Sequence, residues 1–200
     1  MADRGERPGL GPVLCLGTRN GREVDLFRLE FFGGRPAAWA AKVLEVKNAS
    51  FRSRLPWLEA RGRSQVEDLG SQSVIGVELN PQAARSDIWL GSFDQMPPEW
   101  TGRFKVVYSN SFDQSQDPGR TAAEWLRVTA PGGYLILAFT AGAEPSLTDP
   151  VGQLSLDDLQ GLFPGELIFF HHWGSANGYS EAVIRRPAGD LEQNKKGEAS

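Results

Sequence analysis

The sequence predicts an α/β fold, doubly wound around a mostly parallel seven-stranded sheet, with a C-terminal antiparallel hairpin and a helical insertion. Three observations carry that expectation. Short apolar runs stop at glycine or at an acid, stretches of helical period lie between them, and a turn-forming Ser175-Ala176-Asn177-Gly178 joins the last two runs.

The first run, Val13-Leu14-Cys15-Leu16, ends at Gly17 and reads as a buried strand. Past Gly21, Val24 and Phe27 stand at helical spacing. Val74 to Leu79 is the second strand, and Glu78 falls at its end before Asn80-Pro81. Ile88-Trp89-Leu90, Phe104 to Tyr108 and Gly133 to Thr140 are the third, fourth and fifth. Between the last two, Ala122, Trp125, Leu126 and Thr129 mark a helix from Asp117 that Pro131-Gly132 is expected to stop. Leu156 to Phe163 is a short helix with Ser155 as N-cap. Leu167 to Trp173 and Tyr179 to Ile184 complete the sheet. One domain is expected over residues 1-189, and the polar residues 190-200 read as a disordered tail.

Composition narrows the function. Of the 200 residues, 40% are hydrophobic and 23% charged, close to the average for a globular domain. Runs such as Tyr134 to Phe139 fall far short of the ~20 residues of a membrane span. The N-terminal residues carry no apolar core behind their charges, so no signal peptide is expected. A lone Cys15 excludes an internal disulfide and a thiolate-cluster metal site, and it reads as a small buried hydrophobe. A reducing, cytoplasmic setting and no metal are the resulting expectations. The net charge of -4 argues against nucleic acid as a partner.

Charge is unevenly spread. Residues 33-64 hold Arg35, Lys42, Lys47, Arg52, Arg54, Arg61 and Arg63 against Glu45 and Glu59, a balance of +5 that leaves -9 on the rest. Trp39, Phe51 and Trp57 interleave with these cations, and 36-44 and 55-61 read as helices. This insertion, at about 33-70, is either a helical excursion packed on the sheet, a lid for an anionic acceptor, or an interface with a protein partner or a second copy.

Ligands of such sheets sit at the carboxyl ends of the strands. A glycine-bounded loop, Gly17-Thr18-Arg19-Asn20-Gly21, follows the first strand and lets a ligand approach the backbone at a helix N-terminus. Only its first and fifth positions are glycine, so it is not the GxGxxG of a dinucleotide site. Glu78 ends the second strand, where a carboxylate can accept from a ribose diol. Ser92-Phe93-Asp94, after the third strand, can read an adenine edge.

These pieces, in this order, resemble the class I S-adenosylmethionine-dependent methyltransferases. The resemblance rests on Val13 to Gly21, Val77-Glu78-Leu79-Asn80, Gly91 to Pro97, Phe104 to Ser111 and Glu124 to Leu135. The last block, with Leu126-Arg127 and Pro131-Gly132-Gly133, is similar to the family's signature before the fifth strand. The resemblance implies that Gly17, Thr18, Arg19, Asn20 and Gly21 lie against the methionine part of S-adenosylmethionine. Glu78 and Leu79 would serve the ribose, Ser92, Phe93 and Asp94 the adenine, and Asn110 and Ser111 the sulfonium. Three positions depart from the family: Cys15 stands where an acid is common, Arg19 where a central glycine is common, and Ser92 where an aspartate is common. Glu78 lies 57 positions past Gly21, against about 20 in the usual arrangement, and the excess is the basic insertion.

Asp113 could orient or deprotonate an acceptor, or cap the next helix. His171 and His172 point to opposite faces of a strand, so they cannot share a metal ion, and His171 is the candidate base. The expected activity is methyl transfer to a small-molecule acceptor, a secondary or an anionic metabolite. The alternative is a degenerate relative that acts as a binding or regulatory partner.

Overall fold

The computed structural model describes residues 11-32, 73-140, 144-152, 154-173 and 178-189. The expected insertion at 33-70, most of the turn at 175-178 and the tail 190-200 lie outside the described residues. The strands are β1 (Val13–Leu16), β2 (Val74–Glu78), β3 (Ile88–Leu90), β4 (Phe104–Ser109), β5 (Thr129–Thr140), β6 (Glu166–Trp173) and β7 (Tyr179–Arg185). They form a seven-stranded sheet in the order β3-β2-β1-β4-β5-β7-β6. The pairs β1-β2, β2-β3 and β4-β5 are parallel, and β5-β7 and β6-β7 antiparallel. This is the α/β sheet the sequence predicts. The chain divides into two compact units after Ser92.

In the first unit every residue of β1 is buried, as its unbroken apolar run requires. Helix α1 (Arg22–Phe32) buries Val24 fully. Gly76 in β2 makes that approach possible, because a Cβ there would sit 3.0 Å from Val24, Thr18 and Ile88 side-chain atoms. The connection from Leu79 to Asp87 holds one 3₁₀ turn, Pro81–Ala83. It is shorter than the dozen or so residues that parallel crossovers usually take. Asn80 caps the turn, its side chain accepting from the Gln82 N–H at 3.0 Å.

The second unit is built around Trp125. Helix α2 (Pro118–Val128) opens on Asp117, whose carboxylate accepts the Arg120 N–H at 3.1 Å. It buries Thr121, Ala122, Trp125 and Val128, while Leu126 stays half-buried. Phe93 and Phe112 meet the Trp125 ring edge-on at 5.5 and 5.2 Å between centroids, and Phe163 lies 5.1 Å from Phe112. The last comes at the end of helix α3 (Leu156–Leu162), which starts on a reciprocal capping box between Ser155 and Asp158.

The end of α2 differs from the expectation. It stops at Val128, three residues before Pro131, and β5 begins at once with Thr129. Pro131 and Gly132 lie inside the strand, where β5 runs from Thr129 to Tyr134 while β4 advances only from Phe104 to Val106. That irregularity tolerates a proline. The cause lies elsewhere in the chain. The buried Arg186 donates to the carbonyls of Leu126, at 2.7 Å, and of Thr129, and so satisfies the helix end. Arg186→Met would leave both carbonyls short of a donor. It is expected to cost about 2 kcal/mol in urea unfolding, with Arg186→Lys losing less.

Candidate functional site

The loop after β1 is built from backbone geometry. Gly17 and Gly21 have φ of 68° and 74°, the left-handed region open to glycine. Between them Arg19 also has a positive φ, 49°, the sole non-glycine to do so among the described residues. An arginine thus adopts a left-handed conformation that usually falls to glycine. Its N–H donates to Glu78 Oε2 at 2.6 Å, while Glu78 Oε1 accepts from the N–H groups of Leu79 and Asn80 at 2.9 and 3.0 Å. The loop after β1 and the end of β2 are therefore clasped by one carboxylate. Thr18 turns its side chain inward: it is 1% exposed, its hydroxyl has no hydrogen-bond partner, and its N–H donates to the Val77 carbonyl at 3.3 Å. Asn20 is exposed and accepts from the Arg22 N–H at 3.2 Å.

Gly21 is needed for space as well as conformation. A Cβ there would meet the Arg85 guanidinium and Ile88, each at 2.8 Å. Arg85 donates to the Gly21 carbonyl at 3.3 Å, to both oxygens of Asp25 at 3.0 and 2.6 Å, and to both of Asp87 at 2.9 and 2.8 Å. Arg28 adds a contact to Asp87 at 2.9 Å. Burial pushes the Asp87 carboxyl up, but the Arg85 charge and the hydrogen bonds from Arg85 and Arg28 outweigh it and leave it below its ordinary value.

Leu79, beside the Glu78 carboxylate, is 67% exposed. One residue of this region escaped the sequence reading. The half-buried Trp89 lays its ring over Gly91, where any Cβ would collide with it. The signal was present in Trp89-Leu90-Gly91, since residues two apart on a strand share a face and the missing side chain leaves room for an indole. Ser92, next along, is half-buried.

The second unit holds the remaining candidates. Phe93 gives its ring and its carbonyl to Trp125, whose Nε1 donates at 3.1 Å. One oxygen of Asp94 accepts from the Thr121 hydroxyl, which also bonds Ser115 at 2.6 Å. Asn110 is exposed and Ser111 buried, with its N–H on Ser109 Oγ at 3.1 Å. Asp113 has a buried Oδ1, and its carbonyl accepts the Val151 N–H at 3.2 Å, anchoring the segment after β5. His171 is exposed on β6, its ring stacked on Phe169 at 6.3 Å, while His172 Nδ1 lies 2.8 Å from Ser180 Oγ. Cys15 is fully buried, and burial pushes its thiol up.

No protein-family model matches the sequence, and no curated protein matches it. Solved structures do. The 1,6-didemethyltoxoflavin-N1-methyltransferase of Burkholderia thailandensis, solved with 1,6-didemethyltoxoflavin and S-adenosylhomocysteine, is 13% identical, with 90% of this chain and 77% of that one covered at a TM-score of 0.56. A SAM-dependent methyltransferase of Methanosarcina mazei is 12% identical over 88% of this chain and 92% of its own, also at 0.56. The fold is that of the class I methyltransferases. A third structure with this fold is the 4+2 cyclase SpnF, 13% identical over 90% of this chain and 75% of that one, at 0.57. At such identities the likeness concerns the fold, and the site must speak for the chemistry.

Two outcomes are expected from the first unit's geometry. Thr18→Val removes an unpaired buried hydroxyl, so stability in urea should hold or rise by up to about 1 kcal/mol; a clear loss would mean that the hydroxyl is paired. Asp87 has a depressed folded pKa, so its contribution is present above the ordinary aspartate value and lost as pH falls through the lower folded one. Urea midpoints measured from about pH 6 down to pH 2 should fall on that acid limb, and Asp87→Asn should flatten it.

Proposed function

We propose that the chain binds S-adenosylmethionine and transfers its methyl group to a small-molecule acceptor. The observation that carries this reading is the clasp between Arg19 and Glu78. Arg19, at the position where the family commonly has a central glycine, has a left-handed backbone conformation that glycine takes freely, and it is tied to the acid at the end of β2. A glycine could hold the same backbone conformation, so this reading takes the departure at Arg19 as one of side chain.

The residues of the first unit fit such a cofactor. Gly17 to Gly21 present a backbone edge that a methionine moiety could lie against. Glu78 would accept from the ribose hydroxyls, although its carboxylate already takes three backbone N–H groups. A carboxylate has about four acceptor directions, so a diol must share them or displace a backbone donor. The exposed Leu79 and the Trp89 ring are apolar surfaces suited to a flat base. A phosphate is a poorer fit, because Glu23 and Asp25 occupy the first turn of α1.

When bound, S-adenosylmethionine supplies a methyl group already activated by its positive sulfur. The protein's part is then to align an acceptor and keep water out, and a dedicated base is optional. Asp113 is the residue we assign to orienting the acceptor or taking its proton. Phe93 and Asp94 are assigned to the adenine and Asn110 and Ser111 to the sulfonium. His171, exposed and stacked on Phe169, receives no part in the chemistry. Cytoplasmic residence fits a chain whose described helices are none of them long and apolar enough to cross a membrane.

The second reading, a binding or regulatory protein with this fold, is favoured by the same crowding at Glu78. Calorimetric titration with S-adenosylhomocysteine separates the two. Affinity of about micromolar order is expected, weakened about tenfold to a hundredfold by Glu78→Ala. Arg19→Gly should keep the affinity, since glycine holds the same φ without strain. A folded chain that binds neither the cofactor nor its product would overturn the proposal in favour of the second reading.

A further inference from the structure

The carboxylate of Glu78 stands on a strand end that is held from both sides. The Glu78 carbonyl accepts the Gly91 N–H at 3.0 Å, and the Val77 carbonyl before it accepts the Gly17 N–H, also at 3.0 Å. Within this frame the two carboxylate oxygens are unequally used. Oε1 accepts two N–H groups, from Leu79 and Asn80, at 2.9 and 3.0 Å, whereas Oε2 accepts one, from Arg19, at 2.6 Å. An ionised carboxylate offers about four acceptor directions, two on each oxygen. Among the described residues three of these are taken, and the one left over is on Oε2.

None of the three donors is readily given up. Leu79 and Asn80 follow Glu78 directly in the chain, so their N–H groups reach Oε1 with no loop to close. Asn80 is fixed further by the 3₁₀ turn, where its side chain accepts the Gln82 N–H and its carbonyl accepts the Ala83 N–H at 2.9 Å. The Arg19 bond, the shortest of the three, ties the loop after β1 to the end of β2, and a hydroxyl that displaced it would open that clasp. Displacement of any of them exchanges one hydrogen bond for another and leaves a backbone donor unpaired.

We propose that Glu78 reads a single hydroxyl of the cofactor's ribose, through Oε2, and does not take the diol as a pair. The inference rests on the proposed binding of S-adenosylmethionine and narrows how the sugar is recognised. A carboxylate free of backbone donors has directions for both hydroxyls, whereas here the backbone leaves a direction for one. The second hydroxyl gains nothing from Glu78. The site therefore tells ribose from deoxyribose at one position of the sugar and tolerates the change at the other.

The probes are S-adenosylhomocysteine and its 2′-deoxy and 3′-deoxy analogues, titrated by calorimetry into the full chain. One of the two analogues should bind about tenfold more weakly than the parent, as the loss of a hydrogen bond to a charged group requires. The other should stay within about threefold of it. In Glu78→Ala, with folding checked by far-ultraviolet circular dichroism, the two analogues should come to within about threefold of each other. The wild-type comparison decides alone if that variant does not fold. Two analogues that bind the wild-type chain alike, weakened or not, overturn the proposal and leave the cofactor reading standing. An asymmetry that persists in Glu78→Ala also overturns it, because another residue then reads the hydroxyl. A folded chain with no affinity for S-adenosylhomocysteine overturns the cofactor reading, and this inference with it.

Discussion

One guanidinium holds the carboxyl ends of β1 and β2 in shape. Arg85 lies in a connection too short for a crossover helix, and it performs the helix's task of covering the sheet and fixing the chain beyond the strand. Its fork reaches Asp25 on α1, Asp87 at the entry to β3 and the Gly21 carbonyl at the end of the loop. Both carboxylates are largely buried, at 11% and 18% side-chain exposure, and the arginine supplies each with the opposite charge and the hydrogen bonds that such burial calls for. The same side chain fills the space that any residue but glycine would claim at position 21. Loop, helix and strand are therefore one mechanical unit, and a lysine could not replace the fork.

The second unit uses arginine in the same way. Arg127 pairs with Glu124 at 2.7 Å and donates to the carbonyls of Met96, Pro97 and Pro98, while Glu124 accepts the Met96 N–H at 2.6 Å. A segment with only a 3₁₀ turn, Pro98–Trp100, is held against α2 by this pair. Arg186 closes the other end of the same helix. In each case a planar donor with several N–H groups satisfies carbonyls that regular structure leaves unpaired.

This explains what could and could not be read from the residues. The strands were legible because burial of β1 and β2 demands unbroken apolar runs, and the Ser155 and Asp117 caps follow from local chemistry. The end of α2 was not, because the group that stops it, Arg186, lies 60 residues from Leu126 in the chain. Nor was the engagement of Asp94 with Thr121, which turns one oxygen of that carboxylate toward α2. Trp89 was hidden for a different reason: a tryptophan in a strand usually signals core, and only the collision at Gly91 shows where its ring goes.

The loop after β1 shows how a lost glycine can be tolerated. A left-handed conformation at a non-glycine residue costs roughly 1–2 kcal/mol. A backbone N–H donating to a carboxylate returns a similar amount, about 1.5–3 kcal/mol where solvent is excluded and less at an exposed site such as this. The hydrogen bond from Arg19 to Glu78 thus offsets the strain that Arg19 creates. The arrangement has a consequence for any ligand that draws on Glu78. Hydroxyls that take the carboxylate away from the Arg19 N–H expose the strain again, unless the ligand offers that N–H an acceptor of its own. A ligand with a diol alone would bind against this loop's resistance. One that brings a diol to Glu78 and a carbonyl or carboxylate oxygen to Arg19 would leave every donor paired. Glycine at position 19 would relax that requirement, so arginine there makes the loop more selective without altering its course.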